Sequence, residues 1–142
     1  MRPVKKVALL HDLCGVGKAA LTNMVPVLSV MGIEACPIPT ILLSTHTGGY
    51  GKPAMEKIST TYIRECADHY VANQVTFDLI FVGYLGSEGM IEAVEYFLSC
   101  FPDTEVIIDP IMGDHGRYYT NFDSSYAVSY THLRAHETCA DL

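Results

Sequence analysis

The sequence predicts an α/β fold with a mostly parallel sheet and helices on both faces, a three-layer α/β/α arrangement. Three observations carry this. Short β-branched or aliphatic runs alternate with segments of helical apolar period, in the order strand, helix, strand, helix, strand, helix, strand, the pattern that right-handed crossovers produce. The strand-like runs open into turns rich in glycine, hydroxyl or carboxylate groups, which is where open α/β sheets gather their ligands. The 142 residues are 49% apolar and 18% charged, enough for one core.

Residues 4–10 form the first expected strand, and Gly15 to Gly17 a turn feeding a helix that ends near Met31 at Gly32. Leu21, Met24, Val25, Leu28 and Met31 make its apolar stripe, and Pro26 inside it predicts a kink or a late start. The turn His11-Asp12-Leu13-Cys14-Gly15-Val16-Gly17-Lys18 fails as a phosphate-cradling P-loop, because Asp12 and Ala19 stand where Gly and Ser or Thr are needed. Its glycines serve either close approach of a ligand to backbone or tight helix packing.

Residues 35–43 are β-rich, but Pro37 and Pro39 place them near a sheet edge or at a break. Ser44-Thr45-His46-Thr47-Gly48-Gly49-Tyr50 follows, a polar loop suited to hydrogen-bonding and stacking on a small ring, or an ordinary connection. Residues 53–71 read as a surface helix with Met55, Ile58, Tyr62 and Cys66 on one face. Residues 77–82 are the next strand, ending in Gly83-Tyr84-Leu85-Gly86, and Ser87 caps a helix reaching Phe101 with Met90, Ile91, Val94, Phe97 and Leu98 inward. Glu105-Val106-Ile107-Ile108 is a buried strand that opens into Asp109-Pro110-Ile111-Met112-Gly113-Asp114. Two carboxylates there suggest a hydrated divalent cation, most simply magnesium carried in with a nucleotide, or else a capped turn.

A net charge of −7 with scattered basic residues argues against a nucleic-acid or anionic-membrane surface. Five cysteines without a C-x-x-C pair suggest neither a disulfide framework nor a zinc site, and point to a reducing cytoplasm. No secretory leader or bilayer-length apolar run is expected.

Four of these stretches, the His11 to Gly17 turn, Leu42-Leu43-Ser44-Thr45-His46-Thr47-Gly48-Gly49, Gly83-Tyr84-Leu85-Gly86-Ser87 and Asp109-Pro110-Ile111-Met112-Gly113-Asp114, together resemble the pyridoxal/pyridoxamine kinases of the ribokinase-like superfamily, from about Lys6 to about Phe122. The resemblance implies transfer of phosphate from ATP to the 5′-hydroxymethyl group of pyridoxal, pyridoxine or pyridoxamine. By position it implies that His11, Asp12, Leu43, Thr47 and Tyr84 line the vitamin pocket. Asp109 and Asp114 would hold Mg2+ and the nucleotide phosphates, with Tyr119 close to them, and the ion requirement is Mg2+ with or without K+. A homodimer is implied as well.

The family's Gly-x-Gly-Asp motif, whose Asp is the proposed base, has no counterpart in residues 116–142. Ser129-Tyr130-Thr131-His132-Leu133-Arg134-Ala135-His136-Glu137-Thr138 shows no apolar period and resembles a translated sequencing adapter. The expectation is therefore a truncated kinase half over residues 1–127 and a non-native, disordered tail over 128–142. Rival readings are a hydroxymethylpyrimidine kinase of the same superfamily, a P-loop NTPase using Gly17-Lys18, and a vitamer-binding fragment without catalysis.

Overall fold

The computed structural model describes residues 4–47, 49–114, 117–118 and 124–133. Its main sheet has five strands: β1 (Lys6–Val16), β2 (Glu34–Thr45), β3 (Met55–Lys57), β4 (Leu79–Val82) and β5 (Glu105–Ile108). Their order is β3-β2-β1-β4-β5, with β3 antiparallel to β2 and the other pairs parallel. The helices are α1 (Leu21–Val30), α2 (Thr60–Ala72), α3 (Glu88–Ser99) and α4 (Ser124–Leu133), and a short hairpin pairs β6 (Gly113–Asp114) with β7 (Arg117–Tyr118). The alternation predicted from sequence is observed as far as β5, except that β3 is inserted between β2 and α2.

Side chains of β1 alternate between two helical layers, as a strand period of two requires. Val7 and Leu9 face α1, joining Leu21, Met24, Val25 and Leu28. Ala8 and Leu10 face the other layer, where Ile63 and Ala67 of α2, Met90, Val94 and Phe97 of α3, and Tyr126, Tyr130 and Leu133 of α4 close the larger core. Helix α3 has the inward face expected of it, whereas α2 buries Ile63 and Ala67 and leaves Tyr62, expected on the inward face, exposed; Ser59 caps α2 by accepting from the Thr61 amide at 3.1 Å.

Several boundaries differ from expectation. The β1 strand does not stop at Leu10 but runs to Val16, so His11 to Val16 is strand where a turn was expected. Both prolines lie inside a continuous β2 rather than at a break. Hydrogen-bond geometry explains this: the Glu34 amide donates to the carbonyl of Lys5, just before β1, so by alternation the amides of 36, 38 and 40 turn toward β1 and positions 37 and 39 turn away. Proline there gives up no ladder bond. The β3 strand lies beside β2 only at Ile41 to Leu43, leaving the edge at the prolines open among the described residues.

The helix expected from residue 53 begins at Thr60, because residues 55–57 pair with β2. The α1 helix begins at Leu21, after a turn with left-handed Gly17 (φ 108°), Lys18 (φ 46°) and Ala20 (φ 53°), and this start leaves Pro26 inside the helix. At the other end of the chain, α4 crosses the boundary placed at 127/128, and residues 128–133 are helical. Tyr126, Tyr130 and Leu133 fall at positions i, i+4 and i+7 and are all buried, an apolar period that the mixed Ser, Thr and Tyr composition hid. Residues 134–142 lie outside the described residues, as does Tyr119.

Candidate functional site

Strands β1, β2, β4 and β5 are parallel, so the segments that follow them emerge at one end of the sheet. Thr47 follows β2, Tyr84 follows β4 and Asp109 follows β5. The strands are not equally long. β1 pairs with β4 only from Val7 to Leu10, while its pairing with β2 continues to Val16 and Thr45. The β1–β2 ribbon therefore overhangs β4 by six residues, about 20 Å at strand rise, with β3 paired to its β2 side at Ile41 to Leu43. Between His11 and Leu13 the register slips by one, placing an extra residue on β2. Such a bulge turns a ribbon and re-aims its side chains.

The buried polar residues, His11, Asp12 and Thr40, sit together at this bulge. His11 Nδ1 lies 2.7 Å from Asp12 Oδ1, and the Cys14 thiol donates to Asp12 Oδ2 at 2.9 Å. Burial first, and then the Asp12 carboxylate, pushes the Cys14 thiol up to about 12, so it stays a protonated donor at neutral pH. The His11 ring stacks on Phe81 at 6.1 Å and lies against Gly83, where an added Cβ would come within 2.2 Å of its Cδ2. Gly83 is glycine because the imidazole occupies that space.

The ribbon is tied to the rest of the site through Tyr84. Cys14, Ile41 and Leu43 form a buried cluster against which Ala19 and Tyr84 pack. The Thr40 hydroxyl donates to the Tyr84 carbonyl at 2.7 Å, and from α4 the Tyr130 hydroxyl donates to the Gly83 carbonyl at 2.6 Å. Asp109 is exposed, and its amide donates to Val82 at 2.8 Å, holding the strand end beside the Gly83 turn. Burial, with Tyr126 and Asp109 adding to it, raises the Tyr130 phenol well above its usual range.

Toward the ribbon tip, Gly15 abuts the Ser44 carbonyl, where a Cβ would lie at 2.8 Å, and His46 lies over Gly17 with Tyr50 edge-on to it at 5.1 Å. Thr47 is exposed at that tip. The structure thus brings His11, Asp12, Leu43 and Tyr84 into one neighbourhood with Asp109 at its border. Thr47 stands further out along the ribbon, and Asp114 is the last residue of β6. Among the described residues no group of three or more His, Cys, Asp and Glu is placed to hold a metal ion. Asp109 offers a single carboxylate, which suits a cation that brings its own phosphate ligands.

Sequence reasoning missed Thr40, Cys14 and Tyr130. Thr40, a lone hydroxyl between Pro39 and Ile41 in an apolar run, was a readable signal. Cys14 and Tyr130 gave none, because their partners are distant in sequence or depend on the bulge.

No protein-family model matches the chain. Among solved structures, a protein of Bacteroides thetaiotaomicron VPI-5482 assigned as a phosphomethylpyrimidine kinase is 39% identical, superposes with a TM-score of 0.87, and is matched over 96% of this chain and 47% of its own. Another crystal form of it contains pyridoxal. Pyridoxal kinase from Lactobacillus plantarum is 32% identical with a TM-score of 0.84, over 92% of this chain and 47% of its own. The chain is a homologue of the pyridoxal kinases. Its fold is their ribokinase-like α/β/α fold, and a curated relative, pyridoxal kinase PdxY of Leifsonia xyli, is 31% identical over 61% of this chain and 32% of its own length. This kinase homologue therefore spans about half the length of the solved structures and about a third of that curated relative. No described helix is long and apolar enough to cross a membrane.

Proposed function

We propose that the chain carries the vitamer-side half of a kinase that transfers the γ-phosphoryl group of ATP to the 5′-hydroxymethyl group of a B6 vitamer. The single observation behind this is the joint packing of Leu43, Cys14 and Tyr84 beside the His11–Asp12 pair, at the end of the sheet where Asp109 also emerges. The similarity to a protein crystallised with pyridoxal supports the choice of ligand. In this reading Leu43 and Tyr84 clamp the ring between apolar faces, His11 and Asp12 supply polar contacts, and Thr47 reaches in from the ribbon tip. The role assigned to Asp109 is toward the phosphates, and the same role is proposed for Asp114 and for Tyr119, which lies outside the described residues. Mg2+, when bound, neutralises phosphate charge, and Asp109 is the described residue that faces that task.

Phosphoryl transfer draws on positioning and electrostatics more than on covalent chemistry from the protein. The chain has no Gly-x-Gly-Asp sequence after residue 114. Loss of a general base costs about 10²–10⁴ in rate, and loss of an anion hole about 10²–10³. The reading is therefore binding of a vitamer without turnover by these 142 residues. Residues 1–127 are proposed as the kinase part and the sequence after them as foreign to it, even where it is helical. The partners proposed are ATP, a vitamer and a second subunit.

Equilibrium dialysis with pyridoxal, paired with an assay for pyridoxal phosphate, tests this. Saturable binding that Tyr84→Ala weakens, with no product, is expected. Absence of saturable binding by folded protein overturns the vitamer reading, and product formation overturns the inactive one. The assignment of the Bacteroides protein favours a second reading, a hydroxymethylpyrimidine kinase. Competition between the two alcohols separates them.

A further inference from the structure

We propose that Cys14 is a positioning residue whose thiol proton fixes the Asp12 carboxylate, which in turn fixes the His11 imidazole with its proton on Nδ1 and leaves Nε2 as a hydrogen-bond acceptor. The argument starts from Asp12. This carboxylate is 7% exposed, and its two oxygens are engaged separately, Oδ2 by the Cys14 thiol at 2.9 Å and Oδ1 by His11 Nδ1 at 2.7 Å. A thiol can only donate to an ionised carboxylate, and burial beside Asp12 keeps that thiol protonated. With Oδ2 satisfied, the remaining charge is directed at Oδ1.

Nδ1 has a competing partner. The Asp12 backbone N–H lies 2.9 Å from it and would suit the opposite tautomer, with the lone pair on Nδ1. The two arrangements exclude each other, since one nitrogen cannot both carry a proton toward Oδ1 and accept one. Placing a lone pair 2.7 Å from an ionised oxygen is repulsive, whereas a proton between them makes a charge-assisted hydrogen bond, roughly twice as strong as a neutral one. The Nδ1–H tautomer follows. Among the described residues nothing hydrogen-bonds Nε2, in a ring that is 6% exposed, stacked on Phe81 and pressed on Gly83. A fixed acceptor at this place suits a ligand that presents a hydroxyl group, a conclusion that rests on the vitamer reading above only for the identity of that ligand.

Nitrogen-15 spectra of the imidazoles at neutral pH test the relay on the 142-residue chain without ligand, with the His11 signals assigned by their loss in His11→Asn. The expected result is a neutral His11 with its proton on Nδ1, retained in Cys14→Ser, which keeps a donor, and moved toward the Nε2–H form in Cys14→Val. A wild-type His11 protonated on Nε2, or on both nitrogens, overturns the proposal, as does a folded Cys14→Val with an unchanged spectrum. Should Cys14→Val not fold, the S–H Raman band that disappears in Cys14→Ser decides the role of the thiol. A band at the low-frequency, strongly hydrogen-bonded end supports donation to Asp12, and one at the free-thiol position refutes it. Pyridoxal dialysis then tests the ligand side. A weakening of about five- to tenfold in Cys14→Val, from the loss of one oriented hydrogen bond, with near wild-type affinity in Cys14→Ser, is expected. Unchanged affinity alongside a changed tautomer overturns the assignment of Nε2 to this ligand, and absence of binding by the wild type overturns the vitamer reading alone.

Discussion

Tyr130→Phe tests how the last helix supports the site. The Tyr130 side chain is 2% exposed, and its hydroxyl donates to the Gly83 carbonyl at 2.6 Å. Removing the oxygen leaves the ring to pack as before but strips a buried carbonyl of its partner. That leaves the desolvation cost of the acceptor uncompensated, about 1–3 kcal/mol. The loss should also be local in consequence: Gly83 carries Tyr84, and Tyr84 closes the cluster of Cys14, Ile41 and Leu43. Urea unfolding followed by far-ultraviolet circular dichroism gives the magnitude, and fluorescence quenching or hydrogen exchange at the Tyr84 turn gives the locality. The expected outcome is a lower midpoint with an unchanged m-value and faster exchange at Gly83 and Tyr84. A stability change within 0.3 kcal/mol of zero, on the order of additivity error, together with unaltered exchange, would refute the contact and the placement of residues 128–133 against the core.

Stability should fall from about pH 9 upward. The folded Cys14 thiol titrates near 12 against an ordinary 9.0, so the native state holds protons the unfolded chain has released, and stability present below pH 9 is lost as pH rises toward 12. The buried phenols of Tyr126 and Tyr130, both raised above the ordinary 10.0, extend that loss in the same direction, and urea midpoints measured across pH 8–11 check the sign. Gly83→Ala should destabilise by roughly 1–3 kcal/mol, because the new methyl meets the buried His11 ring rather than a side chain that can swing away; proton chemical shifts of His11 report the displacement. At the sheet edge, β5 pairs only with β4 among the described residues and Ile107 is 40% exposed on the face that α1 leaves bare. Ile107→Lys should reduce self-association in sedimentation velocity, and a wild-type chain that stays monomeric at high concentration contradicts this.

The layers were legible in the sequence because they rest on local period. The α3 stripe from Met90 to Leu98 and the β5 run from Glu105 to Ile108 were read at or within a residue or two of their observed limits. What failed was long-range. Nothing local says that Pro37 and Pro39 point their missing donors away from β1, or that residues 55–57 will pair with β2 instead of starting a helix. Similarly, His11 and Asp12 were singled out, but as members of a turn; their burial and their joint link to Cys14 come from the register slip between β1 and β2, a property of the pair and of neither strand. The Tyr126, Tyr130 and Leu133 period was present in the sequence and was overlooked because the surrounding residues are not helix-like in composition.

These contacts make the site a dependent structure. A ribbon of few strands is at best marginal in water, and the overhang of β1 and β2 past Leu10 has lost β4 as a neighbour and gains only the three residues of β3 on its other side. Besides β3, three ties join it to α1 and to the Gly83 turn: the Thr22 hydroxyl on the Cys14 carbonyl, the Thr40 hydroxyl on the Tyr84 carbonyl, and the packing of Leu43 on Tyr84. Two of the three run through Tyr84, whose turn is itself held by Tyr130. Loosening α4 therefore reaches the ribbon through the Gly83 turn before it reaches Asp109, which keeps its own bond to Val82. A ligand that seats on Tyr84 and Leu43 would tighten the same joint from the other side, so binding and the docking of α4 should stabilise each other, as any two events that favour one conformation must.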